Sequence, residues 1–531
     1  MIRALIDFAL SNRMLVLSVA IVLFLWGVVS FHNLPIEAYP DVADTYVQVI
    51  TQWPGHAAEE MEQQITVPLE VQLNGVPHMT HLRSVSLSGL SVITIIYDDE
   101  IATFTARQQS LERLSNATMP PGVNPNLGPD YSPTGQVMFY TLTSVNPKYD
   151  VMELKTLQDW FVLNQLKSVP DVVDVDMFGG PTREYQVQLD PGKLVSYGLS
   201  LSQVEQAIAN NNINAGGGFI ERGQQALNVR AVGLMSTTES IAATVVKVVN
   251  GTPIRVRDLG WVVQGAKVRL GQLGKTIRRS DGTLIIDNDV AEGIVLLRKG
   301  AEADKTLEAL HRKIYELNNG LLPPGVKFVP HLDRSDLVHY TTHTVLRNLT
   351  DGVLLVTLIL FLFLGNVRSA LIVTFTIPFA LLFAAILLDL SHVPANLLSL
   401  GALDFGMVVD GSVVMVENIL RHLELGRGTK SFVQVIAMAA HEVQKPVFFA
   451  RLIIIVSYLP IFTLQRVEGR LFRPMAWTVA FALLGALLFA LLIAPVLCNL
   501  VFQEDIREWR NPLLDFLRRA YAGTLDWCSI I

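Results

Sequence analysis

The sequence has little cysteine, little charge and no excess of basic residues. Only 2 of its 531 residues are cysteines, charged residues make up 17%, and 41 basic against 48 acidic residues leave a net charge of -7. Two cysteines cannot build the disulfide framework of a small secreted protein or a cysteine-rich metal site. Without a basic excess the chain is not expected to bind nucleic acid, and its hydrophobic composition argues against disorder.

Hydrophobic residues are abundant, at 50% of the sequence, and the mean hydropathy is +0.39. They concentrate in long uncharged runs near both ends, which predicts an integral membrane protein because about 20 apolar residues as helix cross a bilayer. A signal peptide is the alternative for the first run, but no clean small-residue cleavage site follows it. The six predicted spans are residues 14–30, 352–364, 369–388, 397–419, 446–464 and 474–502. The second run is short, so its helix is expected to begin earlier, near Val345, with a polar turn in the interface.

Basic residues beside the short loops predict which side of the membrane each loop faces. With six spans, most of them fall on one side, including Arg3, Arg368 and Arg421, and that side is therefore assigned to the cytoplasm. The long loop from about residue 31 to 340 is then expected to face outward, into the periplasm of a Gram-negative cell.

The long loop shows the patterns of a soluble α/β structure. Its first part is predicted to have the βαββαβ order of a ferredoxin-like unit. The predicted elements are strands 46–53, 81–87 and 91–97, helices 57–73 and 103–117, and a last strand after residue 123. The sequence Pro-Pro-Gly-Val recurs at 120–123 and 323–326, at the same place in a second, interrupted copy of this unit.

The interruption, about residues 184–275, is rich in glycine and strand patterns. Gly216, Gly217 and Gly218 could suggest a phosphate-binding loop, but neither a lysine nor a helix start supports one. The three glycines are therefore predicted to form the tip of a hairpin.

The fourth predicted span carries three carboxylates, Asp404, Asp410 and Glu417. A charged group at the centre of a bilayer costs about 2.5–3.5 kcal/mol or more, so such residues indicate a functional path. On a helix, Asp410 and Glu417 lie within about 20° of each other and about 10 Å apart, while Asp404 lies about 120° away. This ladder suits the passage of protons from one carboxylate to the next.

These acids have two other interpretations. Glu417, near the cytoplasmic end, could merely cap the helix or snorkel to the interface. An intramembrane aspartyl protease needs two carboxylates that share a proton, whereas Asp404 and Asp410 lie about 9 Å apart on one helix. In the fifth span, Arg451 is predicted to lie at nearly the depth of Glu417, where it either pairs with this carboxylate or snorkels.

Metal ligands are not assigned from the sequence. His78 and His81 are close together, but they lie where a turn enters a strand and not on one helix face. Four scattered methionines could be soft ligands, although their spacing favours core positions. These are Met138, Met152, Met177 and Met235.

Several motifs carry a family resemblance that extends over essentially the whole chain. They are Leu34–Asp41 (LPIEAYPD), Phe363–Asn366 (FLGN), Pro394–Gly406 (PANLLSLGALDFG), Val409–Gly411 (VDG), Val416–Asn418 (VEN) and Val467–Trp477 (VEGRLFRPMAW). The chain resembles the N-terminal half of a resistance-nodulation-division (RND) efflux transporter, in the heavy-metal efflux branch of the cobalt-zinc-cadmium resistance type. The multidrug branch usually has two adjacent acids in the fourth span, whereas here Gly411 follows Asp410 and the extra acid is Asp404.

The resemblance implies an α-helical polytopic membrane protein with an α+β periplasmic portion. This portion is expected to hold two ferredoxin-like porter subdomains and an inserted docking lobe. The implied boundaries are 1–31 for the N-terminal segment and first span, 32–133 for porter subdomain 1, 134–183 and 276–335 for the two parts of porter subdomain 2, 184–275 for the docking lobe, 336–502 for spans two to six, and 503–531 for an amphipathic segment before a seventh span.

The resemblance also implies a function. Members of the family are secondary transporters, not enzymes, and export substrates from the bacterial inner membrane in exchange for protons, without a cofactor. By this resemblance Asp404, Asp410 and Glu417 correspond to the proton-relay acids. The expected partners are metal cations, two further copies in a homotrimer, a periplasmic adaptor protein and an outer-membrane channel.

A family member has twelve spans, so the chain is expected to need a C-terminal half. That half supplies a relay lysine or its equivalent, two more porter subdomains and much of the metal pocket. The leading hypothesis is therefore proton-driven efflux of heavy-metal cations by this chain or by the pump of which it is half. The alternatives are an RND multidrug pump and a non-transporting truncated or split subunit.

Overall fold

A computed structural model describes residues 2–34, 36–37, 40–269, 271–396, 401, 405–425, 431–502, 521–522 and 524. Asp404 and almost all of the predicted segment 503–531 lie outside the described residues. The chain divides into two units. Unit 1 comprises Met1–Val137, Leu296–Glu308 and Asp333–Ile531, and unit 2 comprises Met138–Val295 and Ala309–Leu332.

The apolar ends of the chain form long helices within unit 1, here numbered α1 to α9. They are α1 (Ile2–Ser11), α2 (Arg13–Asn33), α3 (Arg334–Leu364), α4 (Val367–Thr374), α5 (Thr376–Leu390), α6 (Phe405–Leu425), α7 (Phe432–Ser457), α8 (Arg466–Leu488) and α9 (Ala494–Val501). A large apolar core joins α1, α4, α6, α7 and α9.

Within the described residues, five helical stretches are long and apolar enough to cross a membrane. They are Arg13–Asn33, Arg334–Phe363, Val367–Leu390, Phe432–Thr463 and Arg466–Val501. The fourth predicted span, residues 397–419, lies partly outside the described residues, and its described part belongs to α6. Each of these stretches contains 18 consecutive residues with no more than two charged side chains, whereas any 18 consecutive residues of α6 include at least three.

Two predicted helix starts are wrong, and both were placed at a proline. The fifth predicted span begins at Pro446 and the sixth at Pro474, because the uncharged apolar runs begin there, directly after Lys445 and Arg473. In the structure α7 begins at Phe432 and α8 at Arg466, so that both prolines lie inside helices. Proline is tolerated inside membrane helices because neighbouring groups can satisfy the freed carbonyl.

The first sheet of the α/β part lies in unit 1 and has the element order that the sequence predicts. Its four strands lie in the order Met79–Leu87, Leu90–Tyr97, Tyr46–Gln52 and Asn126–Leu127. All pairs are antiparallel. Alternate residues of the central strands, such as Val47, Val49, Ile93 and Ile95, are fully buried under the helices, as the period of two requires.

A second four-stranded sheet repeats this arrangement. Its strands lie in the order Val326–Asp333, Tyr131–Ser144, Glu292–Arg298 and Val172–Phe178. The segment that connects Val172–Phe178 to Glu292–Arg298 includes an antiparallel pair, Arg183–Leu189 with Gly260–Ala266.

The inserted segment also contains an exposed hairpin, in which Ala215–Arg222 pairs with Gln225–Ala231. Gly216, Gly217 and Gly218 lie in the first strand of this hairpin, so their predicted place at its tip is wrong. The tip includes Gly223, whose φ of +65° favours glycine.

Candidate functional site

Helix α6 has one buried face and one exposed face. Val408, Ser412, Met415 and Ile419 are buried, at the spacing of three and four residues that defines one side of a helix. Asp410 and Glu417, separated by seven residues, are both exposed on the opposite side. The sequence therefore places two carboxylates in a row on the face of α6 that the described chain leaves uncovered.

The two acids lie at different levels along α6. Seven residues of α-helix advance by about 10 Å along the axis and complete two turns to within about 20°. The two carboxylates therefore lie one above the other along the helix. A group that carries a proton between them must bridge this distance, either as a water molecule or as a side chain from another surface. The third predicted acid, Asp404, lies outside the described residues.

Arg451 of α7 lies against this helix. Its side chain is 3% exposed. Its guanidinium group donates to the carbonyl oxygens of Met407 and, at 3.1 Å, of Val408. A Cβ atom at Gly411 would lie only 3.1 Å and 3.2 Å from the Nη2 and Nε atoms of Arg451, so this glycine makes room for the guanidinium.

The prediction that Arg451 pairs with Glu417 or snorkels to the interface is wrong in this structure. The prediction assumed that the fifth span begins at Pro446, which would leave Arg451 near the end of the helix. Because α7 begins at Phe432, Arg451 lies 19 residues, or about 28 Å, along it. The guanidinium therefore meets α6 beside Asp410, nine or ten residues before Glu417.

A polar cluster at the C-terminal half of α6 was not predicted from the sequence. Asn418 donates to the carbonyl oxygen of Ala439 at 2.9 Å and to Glu442 at 3.2 Å. The Nε2 atom of His422 lies 3.2 Å from the same carboxylate of Glu442. The i, i+4 spacing of Asn418 and His422 was a usable signal, but their partner on α7 could only be recognised once the two helices were aligned.

The N-terminal end of α8 is tied to the chain segment that leads into the first sheet. Arg470 donates to the carbonyl oxygens of Val42, at 3.0 Å, and of Ala43, and it forms an ion pair with Asp99. Lys299 donates to the carbonyl oxygen of Asp44 at 2.8 Å. Burial lowers the pKa of Lys299.

A cavity of about 830 Å³ opens beside Arg470. Its lining includes carboxylates from three parts of unit 1, Asp41, Asp99 and Asp389, together with Lys305 and Arg466. The rest of the lining is largely apolar and includes Leu34, Leu388 and Val393, so the cavity combines charged groups of both signs with hydrophobic walls.

Two of the four methionines considered as metal ligands, Met138 and Met235, have the burial or the contacts of structural residues. Met138 is fully buried in unit 2, as expected of a core residue. The Sδ atom of Met235 accepts a hydrogen bond from Thr244 at 3.5 Å. Among the described residues, three side chains with suitable ligand atoms do come together at His78, Asp98 and Glu100.

The sequence matches the AcrB/AcrD/AcrF family over residues 5–529. Among curated proteins it is 38% identical over 542 residues to protein HelA of Legionella pneumophila, covering 99% of this chain and 50% of that protein. It is 37% identical over 543 residues to the cobalt-zinc-cadmium resistance protein CzcA of Cupriavidus metallidurans, with the same coverage of both chains. The same identity holds over 539 residues for the cation efflux system protein CusA of Escherichia coli K12, which is also covered to 50%.

Solved structures also include a protein that matches this chain over most of its length. A heavy metal efflux pump solved by X-ray crystallography in two crystal forms superposes with TM-scores of 0.83 and 0.84. Its sequence identity is 43% and 44%, and the match covers 94% and 93% of this chain and 48% of the pump in each form. The chain therefore spans about half the length of the relatives it matches.

Proposed function

Because the chain belongs to the AcrB/AcrD/AcrF family of RND efflux transporters, in which its relatives are heavy-metal efflux proteins, we propose that it forms part of a proton-driven exporter of heavy-metal cations. The observation that supports this most directly is the row of two carboxylates, Asp410 and Glu417, on the uncovered face of α6. Charged groups in a membrane helix are maintained where they line a water-filled path or meet a partner surface.

In this proposal Asp404, Asp410 and Glu417 take up protons on one side of the membrane and release them on the other. A C-terminal half of the pump covers the acid face of α6 and supplies a cationic partner for the relay. Arg451 holds the α6 backbone beside Asp410 through its two carbonyl contacts and thereby positions this carboxylate. No resident cofactor takes part, because the proton gradient drives transport.

The proposed topology has six spans, with α6 as the fourth. Its 21 residues extend over about 31 Å, which matches the hydrocarbon core of a bilayer, and it packs among helices that are themselves apolar enough to span. The chain then lies in the bacterial inner membrane with its two porter subdomains and docking lobe in the periplasm. Assembly as a trimer with an adaptor protein and an outer-membrane channel completes the proposal.

The test is metal export in the native host after chromosomal substitution of Asp410 by Asn. We expect efflux of Zn²⁺, Co²⁺ or Cd²⁺ from preloaded cells to fall to the level of a deletion strain, because asparagine keeps the shape of aspartate but cannot exchange a proton. Asp351→Asn is the matched control, since Asp351 is an exposed acid on α3 that pairs with Arg347. Protein levels in the membrane should be equal in both strains.

Two results would contradict the proposal. Unchanged metal export in the Asp410→Asn strain would exclude this carboxylate from the relay. Loss of dye and detergent export with unaffected metal export would identify a multidrug pump instead.

A further inference from the structure

A histidine and two carboxylates come together at one end of the first sheet. His78 precedes the strand Met79–Leu87, and Asp98 and Glu100 follow the neighbouring strand Leu90–Tyr97. Because Met79 pairs with Tyr97 in the antiparallel ladder, the residues just outside the two strands are brought side by side. One ligand atom of each of the three side chains lies within 4.8 Å of the other two.

Hydrogen bonds hold the three residues in this arrangement. The backbone N–H of Asp98 donates to the carbonyl oxygen of His78 at 3.0 Å. The Nδ1 atom of His78 lies 2.9 Å from Oδ2 of Asp98, and the backbone N–H of Glu100 donates to Oδ1 of Asp98 at 3.0 Å.

An adjoining polar cavity of about 570 Å³ gives the cluster access to solvent. Its lining includes Thr80, Asp98 and Glu100 and also three arginines. In the described part of the chain, however, lysine or arginine side chains form no ion pair with Asp98 or Glu100. Arg470 pairs instead with Asp99, the residue between these two acids in the sequence. Asp98 and Glu100 therefore remain accessible to His78 and to solvent.

Other histidine–acid pairs in the α/β part have two members instead of three. His56 lies 3.0 Å from Glu60, and His331 lies 2.9 Å from Glu292. Among the described residues, the pair of His78 and Asp98 is the one that has a third potential ligand, Glu100, within reach. A third ligand matters because open zinc sites in proteins use three protein ligands and leave the fourth position to water or substrate.

We propose that His78, Asp98 and Glu100 form a binding site for a divalent transition-metal cation. One imidazole nitrogen and two carboxylate oxygens suit Zn²⁺, Co²⁺ or Ni²⁺, whose bonds to such ligands are about 2.0–2.2 Å long. The three ligand atoms, within 4.8 Å of one another, would move closer by side-chain rotation on binding. The absence of sulfur from these three side chains disfavours Cu⁺, which prefers thiolate and thioether ligands.

The position of the site indicates its role, and this part of the inference rests on the proposed function. Asp99 lies between the two acidic ligands in the sequence and forms the ion pair with Arg470 at the start of α8. A cation bound to Asp98 and Glu100 therefore fixes the same short loop that contacts a membrane helix. The site is placed to capture cargo outside the membrane, next to a connection to the transmembrane part.

Zinc binding to the purified chain in detergent tests the site without any transport. Bound equivalents and affinity are measured by competition with a chromophoric chelator, and Co²⁺ absorption in the visible range reports the ligand geometry. We expect His78→Gln and Asp98→Asn each to lose one equivalent of Zn²⁺, or to bind it at least tenfold more weakly, and to lose the corresponding Co²⁺ absorption. Because all three side chains lie at the surface, the variants should fold normally, as checked by circular dichroism.

His56→Gln and His81→Gln are the matched controls. The first removes a histidine that pairs with one acid, and the second removes a neighbour that lies outside the three-residue cluster. Both should bind as many equivalents as the unmodified chain. If His78→Gln binds Zn²⁺ with the same number and affinity as these controls, the site does not exist.

The site and the proposed function can fail separately. Asp410→Asn should abolish export while leaving the His78-dependent equivalent of Zn²⁺ unchanged. Loss of that equivalent in Asp410→Asn would overturn the assignment of the ligands, whereas binding at His78 in a chain that supports no metal export would contradict only the proposed function.

Discussion

At the scale of single residues, acids were easier to place from the sequence than the arginine beside them. Asp410 and Glu417 were predicted on one face of a helix because their spacing of seven follows directly from helical geometry, and both lie on the exposed face of α6. The predicted depth of Arg451 is wrong because it depends on where α7 begins, and the apolar run starts 14 residues after the helix does, at Pro446 instead of Phe432. The side of a helix on which a residue lies can be calculated from local spacing. Its depth in the membrane, however, depends on where the whole helix begins and ends.

Tyr46 offers a test of a single half-buried group in the first sheet. Its hydroxyl donates to the carbonyl oxygen of Tyr131 at 2.9 Å, and burial, together with Tyr131 and the nearby acids Asp41 and Asp130, raises the pKa of Tyr46 to about 12. The folded chain therefore retains this proton more strongly than the unfolded chain, whose tyrosine ionises near pH 10. The stabilisation is fully present below pH 10 and is lost as the pH rises toward about 12.

Denaturant titration between pH 9 and 11.5 measures this contribution. For the unmodified chain we expect the free energy of unfolding to fall by about 1–2 kcal/mol more than for Tyr46→Phe over this range, after reduction for partial exposure. Tyr315→Phe is the control, because Tyr315 is 71% exposed. Equal pH dependence of the unmodified chain and the Tyr46→Phe variant would show that Tyr46 is not held in its protonated form.

At the scale of elements, strands and short helices of the first sheet were predictable, while the lengths of membrane helices were not. Strands such as Tyr46–Gln52 alternate strictly between buried and less buried residues, so a local pattern identifies them. Helix α3 begins at Arg334, before the apolar run at 352–364 and also before the start near Val345 that the sequence predicts, because its first turns are polar. Hydropathy reports the part of a helix that suits lipid, and it carries no information on helical turns that continue beyond it.

The contact between α6 and α7 gives an element-scale prediction. A Cβ atom at Gly411 would meet two nitrogens of Arg451 at 3.1 and 3.2 Å and Cγ1 of Val447 at 3.2 Å, closer than ordinary van der Waals contact. Gly411→Ala should therefore push α7 away from α6 and destabilise the chain by about 1–3 kcal/mol, a typical cost of overpacking. The melting temperature in detergent measures the effect.

Gly320→Ala is the matched control for this substitution. A Cβ atom at Gly320 has no neighbour within 4 Å, and this glycine lies in a helical turn. Alanine there should leave the melting temperature unchanged or raise it slightly, because alanine favours helix over glycine. If Gly411→Ala is as stable as Gly320→Ala, the two helices are not closely packed at this glycine.

At the scale of the whole molecule, the membrane topology depends on whether α6 crosses the bilayer. Its length is sufficient, but its charged residues distinguish it from the five strongly apolar stretches of the described chain. Ser391 follows α5 and Ser431 precedes α7, and both are exposed. If α6 crosses, these two serines lie on opposite sides of the membrane.

Cysteine labelling decides between the two topologies. In a chain in which Cys498 and Cys528 are replaced by serine, Ser391→Cys should react with a membrane-impermeant maleimide in intact spheroplasts, while Ser431→Cys should react only after permeabilisation. Val145→Cys is the control for the outer side, because Val145 is 91% exposed on the α/β part. Labelling of both serine positions from the same side would mean that α6 returns without crossing, and the carboxylates on it could not then form a path for protons through the membrane.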